Sequence, residues 1–263
     1  MIIMKKAQVT ILVIIGLILV ALISLSFAFK ESILEQAGKF ELTKGLAMST
    51  EARRVQSDMK GCVKDVTELG LVVMGLQGGY TAMNPRIQYT TETQTFLNYV
   101  PYEGTAYLYF KGQNLVPTKE VMEKQLANFI TTYMTACEKE YTDLEVTYGK
   151  ASNVVGIQKE KITLAVNTDV KVKKGTAENG FKKITLELPV RLGTIQNVAD
   201  QIIDKQIKVS EDELCVSCIA RIASENGMTV DINKLGDNIF YSLNDERSKV
   251  VGYEYTFTIA NKF

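Results

Sequence analysis

Four residues of this 263-residue chain stand out for chemistry: Cys62, Cys137, Cys215 and Cys218. Thiols pair as disulfides, bind zinc or act as nucleophiles, and the accompanying residues decide among these uses. There is no histidine, which removes His-based triads, histidine metal sites and the usual general base near neutral pH. Zinc fits poorly, because one C-x-x-C pair and two isolated cysteines lack the ligand spacing of a thiolate site. No metal and no cofactor is expected. In an oxidising exterior an even number of cysteines implies disulfides, and four allow three connectivities. Local pairing of Cys215 with Cys218 and pairing between helices, such as Cys62 with Cys137, are both open.

The C-x-x-C is also the candidate for redox work, which needs a first thiol whose pKa is lowered by a helix N-terminus or a nearby cation. Its sequence setting argues otherwise. Ser210-Glu211-Asp212-Glu213 reads as a capping box that starts a helix near Glu211 and puts Cys215 about one turn inside it. Three consecutive acids then precede Cys215 and disfavour a thiolate, and no proline follows the pair. Structural disulfides are the expectation, and a membrane-tethered thiol-disulfide oxidoreductase using Cys215 and Cys218 is the alternative. Remaining carboxylates are scattered, and Gly78 and Gly79 lack the strand and helix pattern of a phosphate loop. No catalytic residue is assigned. With 30 basic and 30 acidic residues the formal charge is zero, so no global field draws the chain to nucleic acid. Tyr99, Tyr102, Tyr107, Tyr109 and Phe110 offer an aromatic binding surface, although aromatic residues also simply suit strands.

These residues need elements to hold them. Met59, Cys62, Val63, Val66, Gly70 and Val73 share one face of a helix that "GLQGGYTAMNP" halts. Pro101, Gly104 and Gly112 cut the tyrosine-rich stretch into one hairpin and its exit. Pro117 and Thr118 open a helix with Met122, Leu126, Phe129, Ile130, Tyr133 and Cys137 on its apolar face. Ile162, Leu164, Val166, Val170 and Val172 alternate with polar residues, and Ile184, Leu186, Leu188 and Val190 answer them across a "KKGTAENG" turn; the two strands should pair antiparallel. Ile195, Val198, Ala199, Ile202 and Ile203 make a helix to lie across their buried face. The C-x-x-C helix ends at Gly227, and three apolar runs follow: Met228 to Ile232, Ile239 to Leu243, and Val251 to Ile259. Strands and helices in uneven order indicate an α+β domain with an antiparallel sheet packed with helices.

Residues 7–29 carry no charge, and a helix of that length reaches roughly 35 Å at about 1.5 Å per residue, enough to span a bilayer core of about 30 Å. Lys5 and Lys6 flank its short side, so the N-terminus stays cytoplasmic by the positive-inside rule. The expected organisation is a cytoplasmic tail (1–6), a transmembrane helix (7–29), a juxtamembrane helical segment (30–80) and an extracytoplasmic α+β domain (81–263). Its partners are the lipid bilayer through 7–29 and other proteins or copies of itself. Ser26-Phe27-Ala28 also satisfies a small-x-small signal-peptide site, so release after Ala28 and retention are both open.

Lys5-Lys6-Ala7-Gln8 before an apolar helix resembles the class III signal sequences of archaeal type IV pilin-like proteins, which implies cleavage between Ala7 and Gln8 with the helix retained. Bacterial pilins carry a glutamate five residues into the mature chain, where this sequence has Leu12. Together with "GLQGGY", "YVPY", "PVRLG", the C-x-x-C and the terminal "ANKF", the whole chain is similar to uncharacterised single-span membrane proteins of small-genome archaea of the DPANN type. That resemblance implies membrane attachment and an external domain, and assigns no activity.

Overall fold

The computed structural model describes residues 48–81, 96–97, 105–110, 112–208 and 214–262. The expected transmembrane segment 7–29, the processing site at Ala7 and Gln8, the first part (30–47) of the expected juxtamembrane segment, and Tyr99 and Tyr102 lie outside the described residues. Among the described residues no helix is long and apolar enough to cross a membrane.

Helix α1 (Thr50–Leu76) starts where the Ser49 hydroxyl accepts a hydrogen bond from the Ala52 amide at 3.1 Å, with Glu51 in the first turn complementing the helix dipole. It stops as the sequence predicts, at Gly78 and Gly79, whose φ values of 68° and 97° cannot continue a helix. Its buried stripe runs through Val55, Met59, Val63, Thr67, Leu71 and Met74. Val66 and Val73, expected on that face, are only half-buried at its edge. Helix α2 (Lys119–Tyr133) is capped by the Thr118 side chain and buries Met122, Leu126 and Ile130. Tyr133, expected on the same stripe, is exposed. A 3-10 turn, Met134–Cys137, then changes the phase and returns Cys137 to the interior.

The fold is α+β, with two sheets rather than the single antiparallel one expected. The smaller joins β4 (Glu145–Tyr148), β5 (Ser152–Ile157), β6 (Ile162–Lys174) and β7 (Ala177–Leu188), all antiparallel. Ile162 faces Leu188, Leu164 faces Leu186 and Val166 faces Ile184, as their alternation requires. The turn is tighter than expected, because "AENG" is already strand and only Gly175 and Thr176 separate β6 from β7. A bulge at residues 168–169 marks where β6 changes neighbour from β5 to β4.

The larger sheet contains β1 (Phe96–Leu97), β2 (Thr105–Phe110), β3 (Gln113–Asn114), β8 (Thr229–Leu235), β9 (Asn238–Val250) and β10 (Tyr253–Lys262). It is mixed, since β2 pairs parallel with β10 while β8, β9 and β10 form an antiparallel meander. Val251, expected to open the last strand, sits instead in the β9–β10 turn at φ 51°, an uncommon region for a β-branched side chain.

Helix α3 (Leu192–Ile207) buries the expected residues from Ile195 to Ile203. It does not lie across the β6–β7 face: it packs against β3 and helix α4 (Val216–Glu225), and α1 packs on β6 and β7. The C-terminal half of α1 turns to the larger sheet, where Tyr255 donates a hydrogen bond to the Leu71 carbonyl at 3.0 Å.

Two glycines of α1 test this packing. A Cβ on Gly75 would sit 2.2 Å from the Thr256 carbonyl oxygen, whereas one on Gly61 meets open space. Gly61→Ala should stabilise the fold by about 0.5–1 kcal/mol through helix propensity. Gly75→Ala, with the same propensity gain, should destabilise it by roughly 1–3 kcal/mol because helix and strand must separate. Urea denaturation of both variants checks the opposite signs.

Candidate functional site

Arg54, Asp58 and Cys62 recur every four residues on α1 and meet alternate residues of the segment after α2, in reverse order. Arg54 pairs with Asp143 at 2.6 Å, Asp58 accepts from the Tyr141 hydroxyl at 3.0 Å and lies 3.5 Å from the Lys139 ammonium, and Cys62 is disulfide-bonded to Cys137. Both cations also sit over the Tyr141 ring, at 5.3 Å and 5.5 Å from its centroid. The charged contacts are solvent-exposed and individually weak. The covalent bond spans a sequence separation of 75, and closing a loop of that size in the unfolded chain is worth about 4 kcal/mol in the chain-entropy treatment.

The second disulfide joins Cys215 and Cys218, three residues apart. Here the structure differs from the sequence reading: Ser210 to Glu213 lie outside the described residues, α4 is described from Val216, and Cys215, expected one turn inside the helix, has the non-helical N-cap conformation, φ −80° and ψ 73°. Cys215 and Cys218 therefore occupy the N-cap and third helical positions, the spacing that serine and glutamate hold in a capping box. The same spacing recurs five residues after Ser210 and Glu213, with sulfur in place of oxygen. No side chain caps the helix through Cys215. Both cysteines are half-buried, and Val216 and Ser217 between them are exposed. The Ser217 hydroxyl lies 3.8 Å from the Cys215 sulfur. Ile219, Ile222 and Ala223 hold the other side of α4 in the core. Closing so small a ring restricts the unfolded chain little, about 2 kcal/mol by the same treatment.

Tyr107 and Tyr109, read as part of an aromatic binding surface, are each 2% exposed and belong to the interior of the larger sheet. Tyr107 joins Phe110, Phe240 and Ala260 in a small apolar cluster on the sheet face opposite the main core. Its hydroxyl donates to Asn238 Oδ1 at 2.7 Å, and burial pushes its pKa up to about 12. Burial likewise drives Tyr241 and Tyr255 far above the ordinary phenol range. These phenols are neutral structural groups.

One buried polar constellation was missed by the sequence reading. Arg191, at the start of α3, is 3% exposed and Asp245 in β9 is 0% exposed. The guanidinium Nε and Nη2 donate to the two carboxylate oxygens, and Nη1 and Nη2 also reach the Asn226 carbonyl at 3.3 Å and 3.2 Å. Ser248 donates to Asp245 Oδ2 while its oxygen accepts from the Arg191 amide at 2.9 Å. A bulge shapes this site: the β9–β10 pairing passes from Asp245 opposite Tyr255 directly to Lys249 opposite Glu254, leaving Glu246, Arg247 and Ser248 to wrap around Arg191. The available signal was a lone arginine inside the apolar run "PVRLG". A neighbouring cleft of about 870 Å³ presents Lys119, Lys159 and Arg247 together with Glu160, Glu225 and Glu246. That mixed rim selects neither sign of ligand, and the guanidinium is consumed by its own partners. Among the described residues no group of three or more histidine, cysteine, aspartate or glutamate side chains is arranged to hold a metal ion.

Comparison with known proteins finds no matching family model, no similar curated protein and no similar solved structure.

Removing one partner of the buried pair leaves an uncompensated charge. Arg191→Met or Asp245→Asn should each cost about 3–5 kcal/mol. Arg191→Met combined with Asp245→Leu should cost clearly less than the sum of its two single substitutions, because no unpaired charge remains. Chemical denaturation of the double-mutant cycle measures the difference.

Proposed function

We propose that this chain is a membrane-anchored cell-surface protein, held by residues 7–29 with its N-terminus in the cytoplasm, whose α+β body works outside the membrane in structure or interaction rather than in turnover of a small substrate. The observation that carries this reading is the Cys62–Cys137 disulfide, which closes a long loop at the edge of the core, with Cys137 buried and Cys62 half-buried. Such bonds persist in oxidising compartments and are rare in the cytosol. The charge-free stretch 7–29, with Lys5 and Lys6 on its short side, supplies a matching route across the bilayer. The buried Arg191–Asp245 clamp and the neutral buried tyrosines are support groups for a rigid body, in keeping with a structural role.

A pilin-like subunit is the specific form this reading takes. Lys6-Ala7-Gln8 precedes an apolar stretch that a processed subunit would keep, and α1 of the folded body lies along both sheets.

Protease treatment of intact cells should degrade the body, and thiol alkylation under non-reducing conditions should leave Cys62 and Cys137 unmodified. A protected body with both thiols alkylated defeats the proposal. Mass spectrometry of the mature chain should give an N-terminus at Gln8; a start at Phe29 would instead indicate a released protein.

A further inference from the structure

We infer that the Cys215–Cys218 disulfide is a thiol-exchange site, accepting two electrons from a dithiol of a partner polypeptide, with Cys215 as the sulfur attacked first. Three independent features of the surface around α4 carry this. The pair does little for the fold, since it closes a ring between residues only three apart and joins no two elements, in contrast to the bond between Cys62 and Cys137. It also stands at the N-terminus of a ten-residue helix whose N-cap residue makes no side-chain hydrogen bond. A thiolate released there meets the positive end of the helix dipole and the uncapped first turn, so reduction supplies a favourable interaction that the disulfide lacks. Finally, Val216, between the two sulfurs, is 50% exposed, and Ser217 brings its hydroxyl to 3.8 Å from the Cys215 sulfur. An apolar contact and a hydroxyl beside an accessible disulfide suit an extended partner chain.

The exchange balances without a further cofactor. A thiolate of the partner attacks the Cys215 sulfur, the Cys215–Cys218 bond breaks, and its electron pair leaves on the Cys218 sulfur. The second partner thiolate then attacks the partner's own sulfur in the mixed disulfide and expels Cys215 as a thiolate. The partner dithiol is oxidised to a disulfide, the pair is reduced to two thiols, and the two partner protons pass to these thiols or to solvent. Cys215 is the entry point because it lies outside the helix, whereas Cys218 is fixed within the first turn. The acids Glu211, Asp212 and Glu213 oppose a thiolate at Cys215, so its reactivity measures which influence prevails.

The full-length oxidised chain, purified in detergent, is equilibrated in glutathione buffers of increasing reducing strength, quenched in acid, alkylated and peptide-mapped. Cys215 and Cys218 should become half-alkylated at a reduced-to-oxidised glutathione poise at least about tenfold less reducing than Cys62 and Cys137 require. Reduction of both pairs together, or of Cys62–Cys137 first, overturns the inference. In Cys218→Ser, with its far-UV dichroism unchanged, Cys215 should react with iodoacetamide at pH 7 about tenfold faster than Cys218 does in Cys215→Ser. Equal or reversed rates overturn the assignment of Cys215. The equilibrium titration uses the unaltered chain and stands even if a variant fails to fold.

Discussion

The structure depends on how α1 is held. This 27-residue helix runs from the smaller sheet to the larger, and each part of its length is fixed differently. Near its start Glu51 meets Lys174 at 2.9 Å and Gln56 donates to the Lys183 carbonyl, both on the smaller sheet. Near its end Gly75 lets the helix backbone approach β10, and Tyr255 donates to Leu71. Between them Cys62 is bonded to Cys137. Dispersion and burial hold both ends, but they are non-directional and allow a helix to rotate or slide. The disulfide fixes rotation and register together, which explains why the segment from Lys139 to Asp143 meets the same stripe one turn at a time.

The Arg191–Asp245 clamp fixes a second junction, between the end of β7 and the bulged part of β9. An ion pair this deeply buried is a weak source of stability compared with well-packed apolar groups. Its geometry is directional, however. Five hydrogen bonds from Arg191, Ser248 and the Arg247 amide converge on Asp245 and the Ser248 hydroxyl. They hold the sheet-to-helix turn and the strand bulge in one arrangement, which fixes where α3 begins and hence where α4 is presented.

Much of this was legible in the chain. The period-two alternation of β6 and β7 gave their register because a one-residue slip would expose Ile162, Leu164 and Val166. Thr118 and Gly227 marked helix ends through chemistry that acts within a few residues. The unread features are those that depend on distant residues. The parallel pairing of β2 with β10 joins Tyr107 to Ala260 and leaves no local trace, and it buries tyrosines that look like surface groups in isolation. Arg191 finds Asp245 54 residues away. At the C-x-x-C, Cys215 stands at the N-cap of α4 rather than inside the helix, although cysteine is not among the residues that favour that position.

The two disulfides therefore divide the labour that four cysteines could share. On the anchored reading, any pull on the membrane segment reaches the folded body through the N-terminal end of α1. Helix backbone can peel from a core one turn at a time, since each step loses only local contacts. Peeling from Thr50 would proceed through Gly61 and then reach Cys62, where the covalent bond passes the load to Cys137 and the β-rich body. A noncovalent contact at the same position would fail under sustained load as the helix frayed past it. The C-x-x-C at the head of α4 lies outside this path: opening it leaves the seam between α1 and the segment after α2 closed. A body with one bond for holding and one for exchange can change its redox state without releasing α1.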